Sequence, residues 1–301
     1  FNFTKKTGAS HLEFVKSYIS EDKLNKIAHD CIQLLEKSKN NDKDLIKELI
    51  NTLKNNNYKN NINLDENKFS LTPHEIHYLI KAPKSKWEKF LVHRYKFKKY
   101  PSTKLLSEFP VHVAIEPTSV CNLRCTMCFQ VDDTFGKNKN FMGFMKWDLF
   151  KKIVDEIGNN NGQAVTFASR GEPTLHKQFP EMLDYCKKKN FVDIKVNTNA
   201  TKMDDKLIHS ILSANVTTIV YSVDASTKET YEKIRVKGKF EKVLENIKRF
   251  KEIRKIDYPN SVTQTRIAGV AVLETQSPTE MEKFWSQYVD YVAIRKEIPR
   301  W

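Results

Sequence analysis

Apolar residues recur at helical spacing through the first third of the chain and at alternating, strand-like spacing afterwards. Leu24, Ile27, Ala28, Cys31, Leu34 and Leu35 line one face of a predicted helix that Ser20 is placed to cap. A second stripe, Leu45, Ile46, Leu49, Ile50 and Leu53, follows Asp42 as its cap. The Asn-rich run 55–67 reads as a loop. Thr72-Pro73-His74-Glu75 and Ser85-Lys86-Trp87-Glu88 both have the form of a capping box, and the second opens a long basic helix. From about Val111 the period changes. Strands are predicted at 111–116, 164–169, 193–197, 217–223, 266–272 and 290–295, with helices at 146–157, 179–188, 204–213, 240–256 and 278–288 between them. Six strands separated by helices imply parallel pairing with right-handed crossovers, an α/β sheet that closes or nearly closes into a barrel. The expected division is a helical region over residues 1–107, for substrate or partner binding, and a barrel over residues 108–301.

The 301 residues carry a net charge of +14, from 51 Lys and Arg against 37 Asp and Glu. Nine of the basic residues fall between Lys81 and Lys104, opposed only by Glu88, with Trp87, Phe90, Tyr95, Phe97 and Tyr100 among them. Such a run could face an anionic partner such as nucleic acid. A solvated helix face with its aromatics turned into the core is the favoured reading, so a nucleic-acid partner is not expected. No stretch approaches the roughly 18 uninterrupted apolar residues of a membrane helix, and no membrane contact is expected. The chain opens on Phe1 rather than Met, so its natural start is expected further upstream.

Five cysteines do not form a disulfide framework, since three of them sit in one short loop, and a reducing, cytoplasmic setting is expected. Those three are Cys121, Cys125 and Cys128, spaced C-x3-C-x2-C within Ile115-Glu-Pro-Thr-Ser-Val-Cys-Asn-Leu-Arg-Cys-Thr-Met-Cys-Phe129. A cubane cluster normally takes four thiolates, so three leave one iron open. A zinc site would need a fourth ligand, and Cys31 and Cys186 lack paired spacing; a plant-type ferredoxin loop is one residue longer at its first gap. Cys31 and Cys186 read as core thiols, and His74, His77 and His93 make no ligand-spaced pair.

The cysteine loop resembles that of the radical S-adenosylmethionine (SAM) superfamily. The resemblance implies an oxygen-sensitive 4Fe-4S cluster held by Cys121, Cys125 and Cys128, whose open iron binds SAM and cleaves it to a 5′-deoxyadenosyl radical. It also implies the incomplete parallel (β/α)6 barrel, a partial TIM barrel, of that family. Further residues carry the likeness. Ser169-Arg170-Gly171-Glu172-Pro173 is similar to the Gly-Gly-Glu motif, with Arg170 for the first glycine, and implies that Gly171 and Glu172 bind the methionine ammonium. Asn197-Thr198-Asn199-Ala200 is similar to a Thr-Asn-Gly turn, with Ala200 where glycine would supply a positive φ. Asn197 and Asn199 would then reach the ribose or methionine carboxylate, with turn formation as the other role for Asn199. Ser222-Val223-Asp224 matches the Ser-x-Asp pattern of the SPASM-related branch, implying Ser222 on the carboxylate and Asp224 on the ribose hydroxyls. Arg235 resembles the arginine that pairs with the SAM carboxylate, Val270 the apolar contact to adenine, and Met127 the position before the third cysteine that is often aromatic.

That branch often accompanies glycan or nucleotide-sugar genes, so the expected reaction is oxidation or rearrangement of a sugar-like or nucleotide-linked small molecule, with modification of a peptide as the alternative. A reductant such as flavodoxin or ferredoxin is implied. Gln130, Asp132, His176, Arg295 and Glu297 are further candidates for substrate contact near predicted strand ends. The SPASM extension with its auxiliary-cluster cysteines would begin near Trp301, and no cysteine follows Cys186. The rival from another class is a non-catalytic iron–sulfur or zinc scaffold that binds nucleic acid through its basic segment.

Overall fold

The four helices α1 (Glu21–Glu36), α2 (Lys43–Asn55), α3 (Pro73–Lys81) and α4 (Trp87–Thr103) enclose a first core in which Cys31, Leu35, Leu49, Ile76 and Phe90 are almost fully buried. The structure, a computed structural model, describes residues 21–55, 69–136, 138–160 and 162–296. Ser20, Glu297 and most of the Asn-rich run lie outside them. Asp42 caps α2 as expected, its Oδ1 accepting the Leu45 N–H at 3.0 Å. Glu75 reaches back to the Thr72 N–H at 2.9 Å and opens α3. The second expected box does not form. Pro83 leads into a tight 3-10 turn, Lys84–Lys86, which takes Ser85 into its middle, and Lys86 becomes the N-cap of α4. Glu88 instead accepts from Ser38 Oγ at 2.8 Å.

The basic run of α4 is largely spent on neighbouring acids. Arg94 and Lys98 both reach the buried Glu75, at 2.8 and 3.4 Å, and Lys99 reaches Glu48 at 3.4 Å. Burial alone would raise the Glu75 pKa, but Lys98 and Arg94 hold it well below the usual carboxylate range. Trp87, Phe90 and Tyr95 are buried, whereas Phe97 is exposed.

The second part is a six-stranded, all-parallel sheet: β1 (Val113–Ile115), β3 (Ala164–Phe167), β4 (Asp193–Thr198), β5 (Thr218–Ser222), β7 (Gln264–Ala271) and β8 (Tyr291–Lys296), in that order. Between them run α6 (Trp147–Asn159), α7 (Phe179–Lys188), α8 (Asp205–Ser213), α10 (Phe240–Asp257) and α11 (Pro278–Trp285), after the single turn α5 (Asp133–Gly136). Ile194, Val196 and Ile219 pack outward against these helices in a second core. By period-two alternation, Lys195 and Asn197 face the interior of the curved sheet. This is the incomplete (β/α)6 barrel, with β1 and β8 as its two edges.

Two short strands were not foreseen. β2 (Arg124–Cys125) pairs antiparallel with β6 (Arg235–Val236), which follows the helix α9 (Lys228–Ile234), and sets Cys125 opposite Arg235. The helical cap docks at the other end of the barrel. Val192 and Val262, just before β4 and β7, join the cap's core, and His74 Nδ1 lies 3.1 Å from Gln264 Oε1. Among the described residues, no helix is long and apolar enough to cross a membrane.

Candidate active site at the carboxyl ends of the strands

The cysteine loop leaves β1 and is pinned on three sides. Thr126 N–H donates to Ile234 O at 2.9 Å beside the β2–β6 pair. Glu172 N–H donates to Val120 O at 2.9 Å. Gln130, fully buried, donates through Nε2 to Ser119 O at 2.9 Å and to Arg170 O at 2.5 Å, tying the cysteine loop to the loop after β3. Gly171 sits between these contacts. A Cβ there would lie 2.1 Å from Thr118 O and 2.7 Å from Val120 O, so glycine is needed for close approach, not for its φ.

All three cysteines are unpaired: Cys125 is buried, Cys121 and Cys128 half-buried. Burial pushes the Cys125 thiol up to about 11 against the pull of Arg235, and raises Cys121 as well. Without metal these groups stay protonated, so metal binding must displace their protons. The donor set fits an iron–sulfur cluster: three free sulfurs, mutually close enough to influence one another's ionisation, on a backbone braced from both sides. Arg124 turns back onto the loop, its guanidinium donating to Cys121 O at 2.9 Å.

Asn199 links the loop to the sheet. Its Nδ2 donates to Asn122 Oδ1 at 2.9 Å and approaches Cys121 Sγ at 3.9 Å, while its Oδ1 accepts from the Thr201 N–H at 3.0 Å. The amide is thus occupied with the turn and a cysteine sulfur. Glu172 is also more structural than expected. Its carboxylate accepts from Asn199 N–H at 2.6 Å, Thr198 Oγ1 at 2.7 Å and Thr174 Oγ1 at 2.7 Å, and burial still pushes its pKa up. Ala200 does adopt the positive φ, 61°, that its turn requires, and Asn246 of α10 holds its carbonyl at 2.8 Å.

Asp224, the residue expected at the ribose, is held on both carboxylate oxygens. Oδ2 accepts from Arg235 Nε at 2.5 Å and Oδ1 from the Val270 N–H at 2.8 Å, in a site 1 % exposed. Both oxygens are engaged within the protein, so Asp224 positions Arg235 and β7. Gly269 allows this closeness, since a Cβ there would lie 2.3 Å from Val223 O. Asn197 is the opposite case: its enclosed Oδ1 has no hydrogen-bond partner and faces the barrel interior, where a ligand hydroxyl or amine can satisfy it. Ser222, Val270 and Met127 are half-buried around the same mouth.

Of the other candidates, His176 is buried between Met145 O at 2.9 Å and the Gln178 N–H at 3.1 Å, so it is structural, as is Gln130. Asp132 is exposed and bonds Thr134, and Arg295 is exposed on β8. Sequence reasoning missed Glu116, which takes Arg170 in a two-pronged ion pair with contacts of 2.5 and 2.9 Å. It also missed an aromatic shelf beyond Cys128. There Phe129 packs on Phe135 at 4.9 Å, Phe135 stacks on Phe141 at 5.5 Å, and Phe129, Val131 and Phe141 are 40–48 % exposed.

A sequence profile of the radical SAM superfamily matches residues 115–270, the span that contains every element of this site. The chain is 36% identical over 146 residues to a cysteine-type anaerobic sulfatase-maturating enzyme of Clostridium novyi, covering 44% of this chain and 38% of that protein. It is 30% identical over 142 residues to the antilisterial bacteriocin subtilosin biosynthesis protein AlbA of Bacillus subtilis, covering 46% of this chain and 30% of that one. The chain thus spans less than half the length of these curated relatives. In fold it is similar to Streptococcus suis SuiB bound to S-adenosylmethionine, with a TM-score of 0.51, 19% identity, and coverage of 78% of this chain and 49% of that one.

Proposed function

The chain belongs to the radical SAM superfamily, as an enzyme with a 4Fe-4S cluster and S-adenosylmethionine as cofactors, and from that premise we propose that it modifies a peptide or protein. Once bound, these cofactors supply a radical able to take a hydrogen atom from an unactivated C–H bond. The protein's own residues bind, orient and enclose. Cys121, Cys125 and Cys128 would hold the cluster. Gly171, Asn197, Ser222, Arg235 and Val270, with Met127 at the rim, would form the SAM cradle, in which Asp224, Glu172 and Asn199 act by fixing the groups that touch ligand. In the division into residues 1–107 and 108–301, the described helices α1 to α4 would close the barrel from below, and a flavodoxin or ferredoxin would bring the electron.

The aromatic shelf carries the reading of a peptide. Exposed Phe129, Val131 and Phe141, following the third cysteine in the chain, offer an apolar surface suited to the side chains of a peptide. Two curated relatives named for maturing a sulfatase and for making a bacteriocin support the same substrate class over the sugar-like one.

The test is anaerobic reconstitution, reduction with dithionite, and mass spectrometry of 5′-deoxyadenosine with wild type and Cys125→Ala. Defined synthetic peptide pools are added in one arm and nucleotide sugars in another. Stimulated cleavage with a mass change on a peptide supports the proposal; stimulation by nucleotide sugars alone overturns it.

A further inference from the structure

Opposite the cysteine loop, where the helical cap meets the floor of the barrel, three residues far apart in sequence converge. His93 comes from α4, His112 from the residue before β1, and Asp193 opens β4. One ring nitrogen from each histidine and a carboxylate oxygen of Asp193 lie within 4.8 Å of one another. His93 and Asp193 are each 4 % exposed, with His93 Nε2 3.4 Å from Asp193 Oδ2. Two ligands on a tetrahedral ion with bonds of about 2.0 Å stand roughly 3.3 Å apart, so that pair already has the needed separation.

Two observations mark the cluster as incomplete. His112 Nδ1 is enclosed and has no hydrogen-bond partner, and His93 Nε2 has only its long approach to Asp193, although buried ring nitrogens ordinarily find a full hydrogen bond. Around them sit the partners that orient metal ligands: Thr166 Oγ1 is 2.6 Å from His112 Nε2, and Thr217 Oγ1 donates to Asp193 Oδ1 at 2.5 Å. The competing cation is Arg94. Its Nε is committed to Glu75 at 2.8 Å, and its NH1 donates to Asp193 Oδ2 at 3.4 Å, the longer of its two holds and the one a metal ion would have to displace.

We propose that His93, His112 and Asp193 bind a divalent cation of the zinc class, with water completing the shell, and that this ion fastens the helical cap to the barrel floor. Two imidazoles and one carboxylate suit zinc, cobalt or nickel and are too nitrogen-rich for magnesium or calcium. This site is independent of the cluster and of the substrate proposed above.

The test uses the full chain with its cluster loaded, so that the cysteines are occupied. Co2+ is added anaerobically, excess is removed by desalting, and cobalt and iron are counted by elemental mass spectrometry. Wild type is expected to retain about one Co2+ per chain and to unfold at a higher temperature with it. His112→Gln and Asp193→Asn are expected to weaken Co2+ binding by at least about tenfold with iron unchanged. Loss of all cobalt from wild type, or equal retention by both variants, overturns the proposal. If neither variant folds, the wild-type Co2+ spectrum decides. Ligand-field bands without thiolate charge transfer support the site, and thiolate charge transfer, placing cobalt on cysteine, overturns it.

Discussion

Arg235 donates to Asp224 at 2.5 Å while its own backbone pairs across a two-residue ladder with Cys125. The arginine thus joins the cysteine loop to the ends of β5 and β7. Both side chains are largely withdrawn from water, and removing one partner of such a pair leaves a buried charge. Asp224→Ala is therefore expected to lower unfolding free energy by about 3–5 kcal/mol, with Asp224→Ala/Arg235→Met recovering much of the loss. Urea unfolding of the two single variants and the double variant checks this. Additive losses would show that the pair is not coupled.

Gly171→Ala places a methyl group against the backbone carbonyls of Thr118 and Val120. The cysteine loop must move, at a cost of about 1–3 kcal/mol or more. Iron bound per chain after reconstitution should fall clearly below wild type. Normal iron content with unchanged stability would mean that the loop tolerates the shift.

Ala200→Gly is expected to stabilise. Alanine at φ 61° carries a left-handed penalty of about 1–2 kcal/mol, partly offset by glycine's larger unfolded-state entropy. A net gain of up to about 1 kcal/mol should appear in the urea midpoint. A loss would show that the alanine methyl contributes more by packing than its backbone costs.

Acid should loosen the cap. Burial pushes His77 down to about 4; Asp290 opposes this, while Arg254, His74 and Lys81 reinforce it. The unfolded chain titrates near 6.5 and so binds more protons than the folded one between these values. The stability His77 contributes is complete above about pH 6.5 and falls as pH drops toward about 4, by at most about 3 kcal/mol. Urea unfolding across that range should show a shallower decline for His77→Gln than for wild type.

The barrel was legible because its signals are local. Alternating apolar residues mark β4, a continuous apolar run marks β5, and Pro180 and Asp204 sit at the starts of α7 and α8, so those elements fall within a residue or so of their predicted bounds. The β2–β6 pair was not legible, since two-residue strands have no period and their partners lie over a hundred positions apart. The same limit hid the floor cluster: His93 has no ligand-spaced neighbour along the chain, and its companions arrive only through β1 and β4. Motif residues were recognisable by type, but their present tasks depend on neighbours. Asp224 and Glu172 are occupied by Arg235 and Asn199, which no spacing rule reveals.

β4 runs the whole height of the barrel, from Asp193 in the floor to Thr198, with Asn199 beside Cys121. At about 3.3 Å per residue, its six residues measure about 20 Å. Anything gripped by the cap and altered at the cysteine loop must have at least that reach. An extended polypeptide covers it in about six residues, and a free monosaccharide cannot. The height of one strand thus sets a minimum length for any substrate handled at both ends.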